Sequence, residues 1–187
     1  MTIALPRIEG DGFVLRPWQV EDLESLVLHA NDESISRSVS DRFPFPYTKA
    51  DAEAFLSTPA IPPTIVLAIE IDGVAVGGID ARPGAAELRI GAEIGYWLAR
   101  QYWGCGIMSR VVSRWCGYLF SEHGFERLQA AVFSNNPASA RVLEKCDFQR
   151  EGIMRRAVVK RGVILDLCMY AMLRPEPSNL NQNLRHD

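Results

Sequence analysis

The stretch GYWLARQYWGCGIMSR, residues 95–110, joins a strand-like run to a helix-like run through a glycine-rich turn. Such a junction constrains a fold strongly, because it sets where a helix starts against a sheet. Before it, Glu87 to Ala99 reads as a strand. After it, Met108, Val111, Val112, Trp115, Leu119 and Phe120 fall on one helical face, and Gly124 can end that helix in the left-handed conformation. The first turn of a helix carries unpaired N–H groups at the positive end of its dipole, and glycines let backbone approach an anion closely. Gln101-x-x-Gly104-x-Gly106 is therefore a candidate phosphate turn.

Two common phosphate binders do not fit. A Walker loop needs Gly-Lys-Ser/Thr, but Ile107 and Met108 follow Gly106. A dinucleotide fingerprint needs glycine or alanine at 109, which is Ser, and a βαβ unit with an acid for the ribose. On the turn alone, a plain strand-to-helix connection stays an open alternative.

The rest of the chain reads as β-α-α-β-β-β-α-β-α-β-β, a mixed sheet with helices packed on it. Phe13 to Trp18 suggests a first strand, and Val20, Leu23, Leu26, Val27 and Ala30 a first helix. SDRFPFPYTKA reads as an ordered loop, with Thr48 as N-cap and Asp51 in the capping-box position of the next helix. Asp72-Gly73 joins two strands in a tight turn. Asn136 and Pro137 open a helix as N-cap and first helical residue. A closing hairpin turns near Arg161-Gly162.

A net charge of -3 argues against nucleic acid as a partner. The apolar run near residues 61–79 is interrupted by Glu70, Asp72 and Gly73, which argues against a membrane span. Cys105, Cys116, Cys146 and Cys168 form no C-x-x-C pair and His29, His123 and His186 are scattered, so no metal site is expected. The start MTIALPRIEGDG lacks the features of a signal peptide, and the expected setting is cytoplasmic, with reduced thiols.

The phosphate turn, preceded by EIGYWLA and followed by NNPASARVLEKCDF, resembles the GNAT superfamily of N-acetyltransferases. More narrowly it is similar to the RimJ/RimL branch of ribosomal-protein N-terminal acetyltransferases. LRPWQVEDLESL, PYTKADAEAFL and KRGVILDLCMYAML extend the resemblance from about Phe13 to Leu173. It implies an α/β (α+β) GNAT fold, a mixed, mostly antiparallel central sheet flanked by helices. Residues 1–174 would form one acetyltransferase domain and 175–187 a polar, mobile tail. It implies acetyl-CoA as cosubstrate, with pyrophosphate on the N–H groups of Gly104, Cys105, Gly106, Ile107 and Met108, and Gln101 within the same motif. The strand before the turn would splay from its neighbour and pair with pantetheine around Trp97 and Leu98.

Within that resemblance, Glu93 is the candidate base, working through water. Its alternative is a solvent-facing strand carboxylate, or a partner for Arg89 or Arg100. Asn136 would contact the pantetheine arm and Ser139 would lie near the sulfur, assisting the leaving thiolate. Asn136 is equally an N-cap for the N–H of Ser139. The tyrosine acid of many relatives is replaced by Leu143, and the usual glycine before Phe148 by Asp147. Trp115 reads as core, and Cys105 lacks a partner histidine for a nucleophile's role.

The expected activity is direct acetyl transfer to a primary amine, either a protein N-terminal α-amine or a small molecule. A non-catalytic acyl-CoA-binding or sensing protein on the same fold is the alternative. SDRFPFPY and KRGVILD are the segments left to build the acceptor side. No nucleic acid or membrane partner is expected, and a homodimer stays open.

Overall fold

The computed structural model describes residues 5–41, 43–58 and 60–176. The expected tail therefore lies, from residue 177 onward, outside the described residues. The first hairpin is β1 (Ile8–Gly10) and β2 (Phe13–Arg16), of which β1 had no clear alternation in the sequence. β2 stops at Arg16 rather than reaching Trp18, since Pro17 brings no N–H to a ladder. The Arg16 guanidinium turns inward instead. It meets Asp22 through two bonds of 2.7 and 2.8 Å and also contacts Glu70. Both Arg16 and Asp22 side chains are almost fully buried.

Three helices follow, α1 (Leu23–Ala30), the single turn α2 (Glu33–Ser36) and α3 (Lys49–Ser57). α2 lies in a stretch to which the sequence assigned no element, with Asp32 accepting from Ser34 N–H. Thr48 and Asp51 form the expected capping box of α3. β3 (Ile65–Ile71) and β4 (Val74–Pro83) turn at Asp72 and Gly73, whose φ of 50° and 79° suit a tight hairpin. β5 (Gly91–Leu98) starts at Gly91, not Glu87. The apolar alternation there misled: Leu88 and Ile90 are exposed, and Gly84 N–H closes a loop on Gly91 O.

α4 (Ile107–Glu122) buries Val111, Val112, Trp115, Cys116, Leu119 and Phe120 on one face. Gly124 follows its end at φ 65°. β6 (Arg127–Phe133), α5 (Pro137–Lys145), β7 (Gln149–Lys160) and β8 (Val163–Leu173) complete the order. Asp147 adopts φ 64°, so it takes the conformation that glycine would favour.

The strands form one sheet in the order β1-β2-β3-β4-β5-β6-β8-β7. Every neighbouring pair is antiparallel except β5 and β6, which the α4 crossover makes parallel. Strand alternation sends Ala92, Ile94 and Leu98 into the core beneath α4, with Trp115 at its centre. Trp97 lies on the opposite face, against a second cluster of Leu26, Ala30, Tyr47 and Ala52 from α1, the loop and α3. The sheet thus separates the α4 side from the α1 side, and β5 borders both.

Candidate active site

β5 and β6 pair only over Gly91–Arg127, Ala92–Leu128 and Glu93–Gln129. Beyond Glu93 the two strands part while each continues, to Leu98 and to Phe133. What faces the gap follows from the β4–β5 ladder. Ala99 N–H donates to Val76 O and Gly84 N–H to Gly91 O, which fixes the odd-numbered residues of β5 as those bonded to β4. The N–H and C=O groups of Ile94, Tyr96 and Leu98 therefore point at the gap. Leu98 O accepts from the Trp103 indole at 2.7 Å, which leaves its N–H. Of the expected pair, Leu98 lies on the gap. The Trp97 peptide is committed to Gly78, and its ring stacks with Trp18 and meets Phe43 edge-on.

The glycine-rich turn stands at the open end of this gap. Gly104 and Gly106 have φ of 77° and 74°, and Gly106 is the N-cap of α4. The first turn of α4 holds no acidic residue, so the dipole and free N–H groups of Ile107 and Met108 are not offset. Gln101 and Cys105 are exposed beside them. Arg110, one helical turn beyond Gly106, folds back so that its guanidinium donates to Asp11 O and Cys105 O. Sequence reasoning missed this cation, although the i+4 spacing from Gly106 places it over the first turn.

Gly106→Val tests the turn. A Cβ at 106 would meet no protein atom closer than Arg110 Nη1 at 3.6 Å, so the fold has room for it. The left-handed backbone and the close approach of an anion do not. Acetyl-CoA affinity is expected to fall by more than about 1 kcal/mol, measured by calorimetry on a folded variant. Unchanged affinity would remove the turn from the binding site.

α5 forms the far wall. Asn136 Oδ1 accepts from Ser139 N–H at 3.1 Å, the expected cap. The Ser139 hydroxyl meets the Tyr96 hydroxyl at 2.9 Å across the gap's inner end. Tyr96 was not singled out by the sequence. Its signal was parity: it shares the buried face of Ile94 and Leu98, where a phenol needs a partner. Burial pushes its hydroxyl well above the ordinary tyrosine value, so it stays protonated and serves as a hydrogen-bonding group.

Glu93 lies on the α1 side of the sheet. It pairs with Arg82 at 3.0 Å, not with Arg89 or Arg100. Arg89 reaches Ala86 O and Arg100 reaches the Ser34 hydroxyl. The segments left for the acceptor side meet each other. Lys160 bonds Asp41 at 2.6 Å, and the Arg161 guanidinium sits 5.3 Å above the Phe45 ring while pairing with Glu33. Glu33, the partner of Arg161, also lines a cavity of about 410 Å³ together with Ser34, Arg37, Ser38, Trp103 and Asn135. Among the described residues, no group of three or more His, Cys, Asp or Glu is arranged to hold a metal, and no helix is long and apolar enough to cross a membrane.

A family model described as an acetyltransferase (GNAT) domain matches residues 13–149. The uncharacterized N-acetyltransferase YoaA of Bacillus subtilis (strain 168) is 39% identical over 84 residues, 45% of this chain and 48% of that protein. The chain spans about half the length of the curated relatives it matches at this level. Among solved structures, RimL, described as a ribosomal L7/L12 alpha-N-protein acetyltransferase in complex with coenzyme A, superposes with a TM-score of 0.80 at 20% identity. That match covers 90% of this chain and 98% of RimL. Mycobacterium smegmatis RimJ in complex with CoA-disulfide gives 0.79 at 20% identity, covering 90% and 86%. These neighbours share the fold, a mixed and mostly antiparallel sheet flanked by helices.

Proposed function

The chain belongs to the acetyltransferase (GNAT) family, and on that premise we propose that it moves an acetyl group from acetyl-CoA directly to a primary amine. The observation that supports this most is the parting of β5 from β6 directly beside the N-terminus of α4. One continuous surface then offers N–H groups for a pyrophosphate, free strand edge for pantetheine amides, and hydroxyls where a thioester would end. RimL and RimJ, by the names they carry, are described with coenzyme A or its disulfide, which accords with this use of the fold.

In this reading Gly104 to Met108 hold the pyrophosphate, with Cys105 contributing backbone and Arg110 its charge. Ile94, Tyr96 and Leu98 receive the pantetheine amides, Asn136 touches the arm, and Ser139 lies at the sulfur. Gln101 borders the turn, while Trp97 lines the acceptor side. Ser139 would hydrogen-bond the departing thiolate, with Tyr96 holding the serine hydroxyl in place. No acyl-enzyme is needed, so Cys105 has no covalent role. A cytoplasmic setting accords with the four free cysteines.

The acceptor class follows from proton chemistry. An α-amine near pKa 8 is about one-tenth neutral at pH 7, whereas a lysine near 10.4 is almost wholly charged. Protein N-terminal α-amines and weakly basic small amines therefore ask least of the enzyme. The test is acetyl-CoA-dependent release of CoA across peptide α-amines, polyamines and aminoglycosides. Release that depends on one acceptor class supports the proposal, and acetyl-CoA binding with no release favours the sensing alternative.

Glu93 is assigned to relay the amine's proton through water. Glu93→Gln is expected to lower kcat/KM at neutral pH, with the loss shrinking as rising pH deprotonates the amine in solution. Parallel pH profiles for parent and variant would leave Glu93 as the partner of Arg82 only.

A further inference from the structure

Resting on that reading, we propose that the Asp80 carboxylate is the group that receives the acceptor's ammonium beside the thioester and takes its first proton. Two cross-strand pairs set the site. Gly78 of β4 faces Trp97 of β5, and Asp80 of β4 faces Gly95 of β5. Each pair contains one glycine, and the side chain opposite lies over it. A Cβ at Gly78 would stand 2.7 Å from Trp97 Nε1. One at Gly95 would stand 2.8 Å from Asp80 Oδ2 and 3.1 Å from Arg82 Nη2. The carboxylate is thus laid across β5 at Gly95, just past Glu93, where β5 and β6 separate.

That position is on the α1 side of the sheet, which Glu93 and Trp97 also share. Its walls suit a cation. Asp80 and Glu93 face the same Arg82, at 3.4 and 3.0 Å, so two carboxylates share one guanidinium. Beyond Gly78 stands the aromatic group of Trp97, Trp18 and Phe43, whose faces favour a neighbouring ammonium. Asp80 Oδ1 is the oxygen that lies 3.4 Å from Arg82 Nε; it is buried and, beyond that ion pair, accepts a hydrogen bond from no described protein group. The Asp80 side chain as a whole keeps 28% of its surface, so Oδ2, lying over Gly95, is the oxygen that a ligand N–H can reach. Burial pushes the Asp80 carboxyl above the usual aspartate range, Arg82 opposes this, and Glu93 adds to it. A carboxylate so placed is a stronger base than an exposed one.

The ammonium's N–H breaks and an O–H forms on Asp80, while the electron pair stays on nitrogen. Nitrogen then bonds to the thioester carbon, and the carbonyl π pair moves to oxygen. Collapse of the adduct breaks C–S, and the nitrogen's surplus proton reaches sulfur by way of the Ser139 hydroxyl. Asp80 passes its proton through water to Glu93 and on to solvent. Charged amine and acetyl-CoA become amide, CoA thiol and one free proton. Asp80 and Glu93 then act in sequence rather than as rivals.

The test needs no identified acceptor. CoA alkylated at sulfur with a 2-aminoethyl group places a primary ammonium next to the thioester position. S-propyl-CoA has the same shape without the charge. The parent protein is expected to bind the aminoethyl probe about tenfold or more tightly than the propyl one, in line with a hydrogen bond to a charged group. Asp80→Asn should abolish that preference and leave S-propyl-CoA affinity unchanged, while Glu93→Gln keeps most of it. Equal binding of both probes by the parent, or a preference surviving Asp80→Asn, would overturn the role of Asp80 and leave the cofactor reading standing. If neither probe nor acetyl-CoA binds, the cofactor reading itself fails.

Discussion

Ser139→Ala is expected to lower kcat by roughly ten- to a thousand-fold while acetyl-CoA affinity stays nearly intact. The hydroxyl is the group removed, and it matters most when the thiolate leaves. The helix should survive, because its cap uses the Ser139 N–H and the Asn136 side chain. The stability cost is the Tyr96 hydroxyl's loss of its 2.9 Å partner, at most about 1 kcal/mol because it still donates to Ser139 O at 3.3 Å. Asn136→Ala provides the contrast, losing about 1 kcal/mol of stability together with cofactor affinity. Tyr96→Phe should fall between the parent and Ser139→Ala in kcat, since it frees the serine hydroxyl without removing it. Thermal melts beside steady-state kinetics separate these cases. Full activity in Ser139→Ala would make water the proton donor and Ser139 a helix residue lining the gap.

The largest stability effect is expected at Asp22→Ala, about 3–5 kcal/mol, or a fall in Tm of roughly 6–20 °C. The Arg16 guanidinium is held by Asp22 first and Glu70 second, which keep its charge despite burial. Removing Asp22 leaves that charge with one carboxylate and also removes the acceptor of Gln19 N–H at 2.9 Å. The same residue ends the turn that launches α1, whose Leu26 and Ala30 pack beside Trp97. The amine's KM should therefore rise more than the KM of acetyl-CoA. Replacing Arg16, Asp22 and Glu70 together with apolar residues of similar volume should recover most of the lost stability. A melt of Asp22→Ala matching the parent's would show that the triad carries little.

What was legible in the sequence was local. The Thr48–Asp51 cap, the Asn136–Pro137 helix start, and the turns at Asp72-Gly73 and Arg161-Gly162 depend on residues within one turn of each other. The structure has each in place. The amphipathic face of α4 was legible because its period is fixed by the helix. Alternation alone failed at Leu88 and Ile90, where apolar side chains lie on a surface loop. The parting of β5 from β6 could be expected from the family resemblance, not from residue pattern, because pairing across a crossover is long-range. The Tyr96–Ser139 contact escaped for the same reason, and the Asp80–Gly95 overlay because it depends on the β4–β5 register. In the second the informative residue is a glycine whose absent side chain makes the room.

The central claim is that the acetyl group passes directly from acetyl-CoA to an amine bound on the α1 side of the sheet. Mass spectrometry that follows the acetyl group tests it most directly. The protein is incubated with acetyl-CoA alone, then with acetyl-CoA and the best acceptor from the amine panel. The account predicts a protein of unchanged mass in both samples, and one acetylated amine per CoA released in the second. An acetyl group retained on the protein, or acetyl-CoA bound with no amine acetylated, would contradict it.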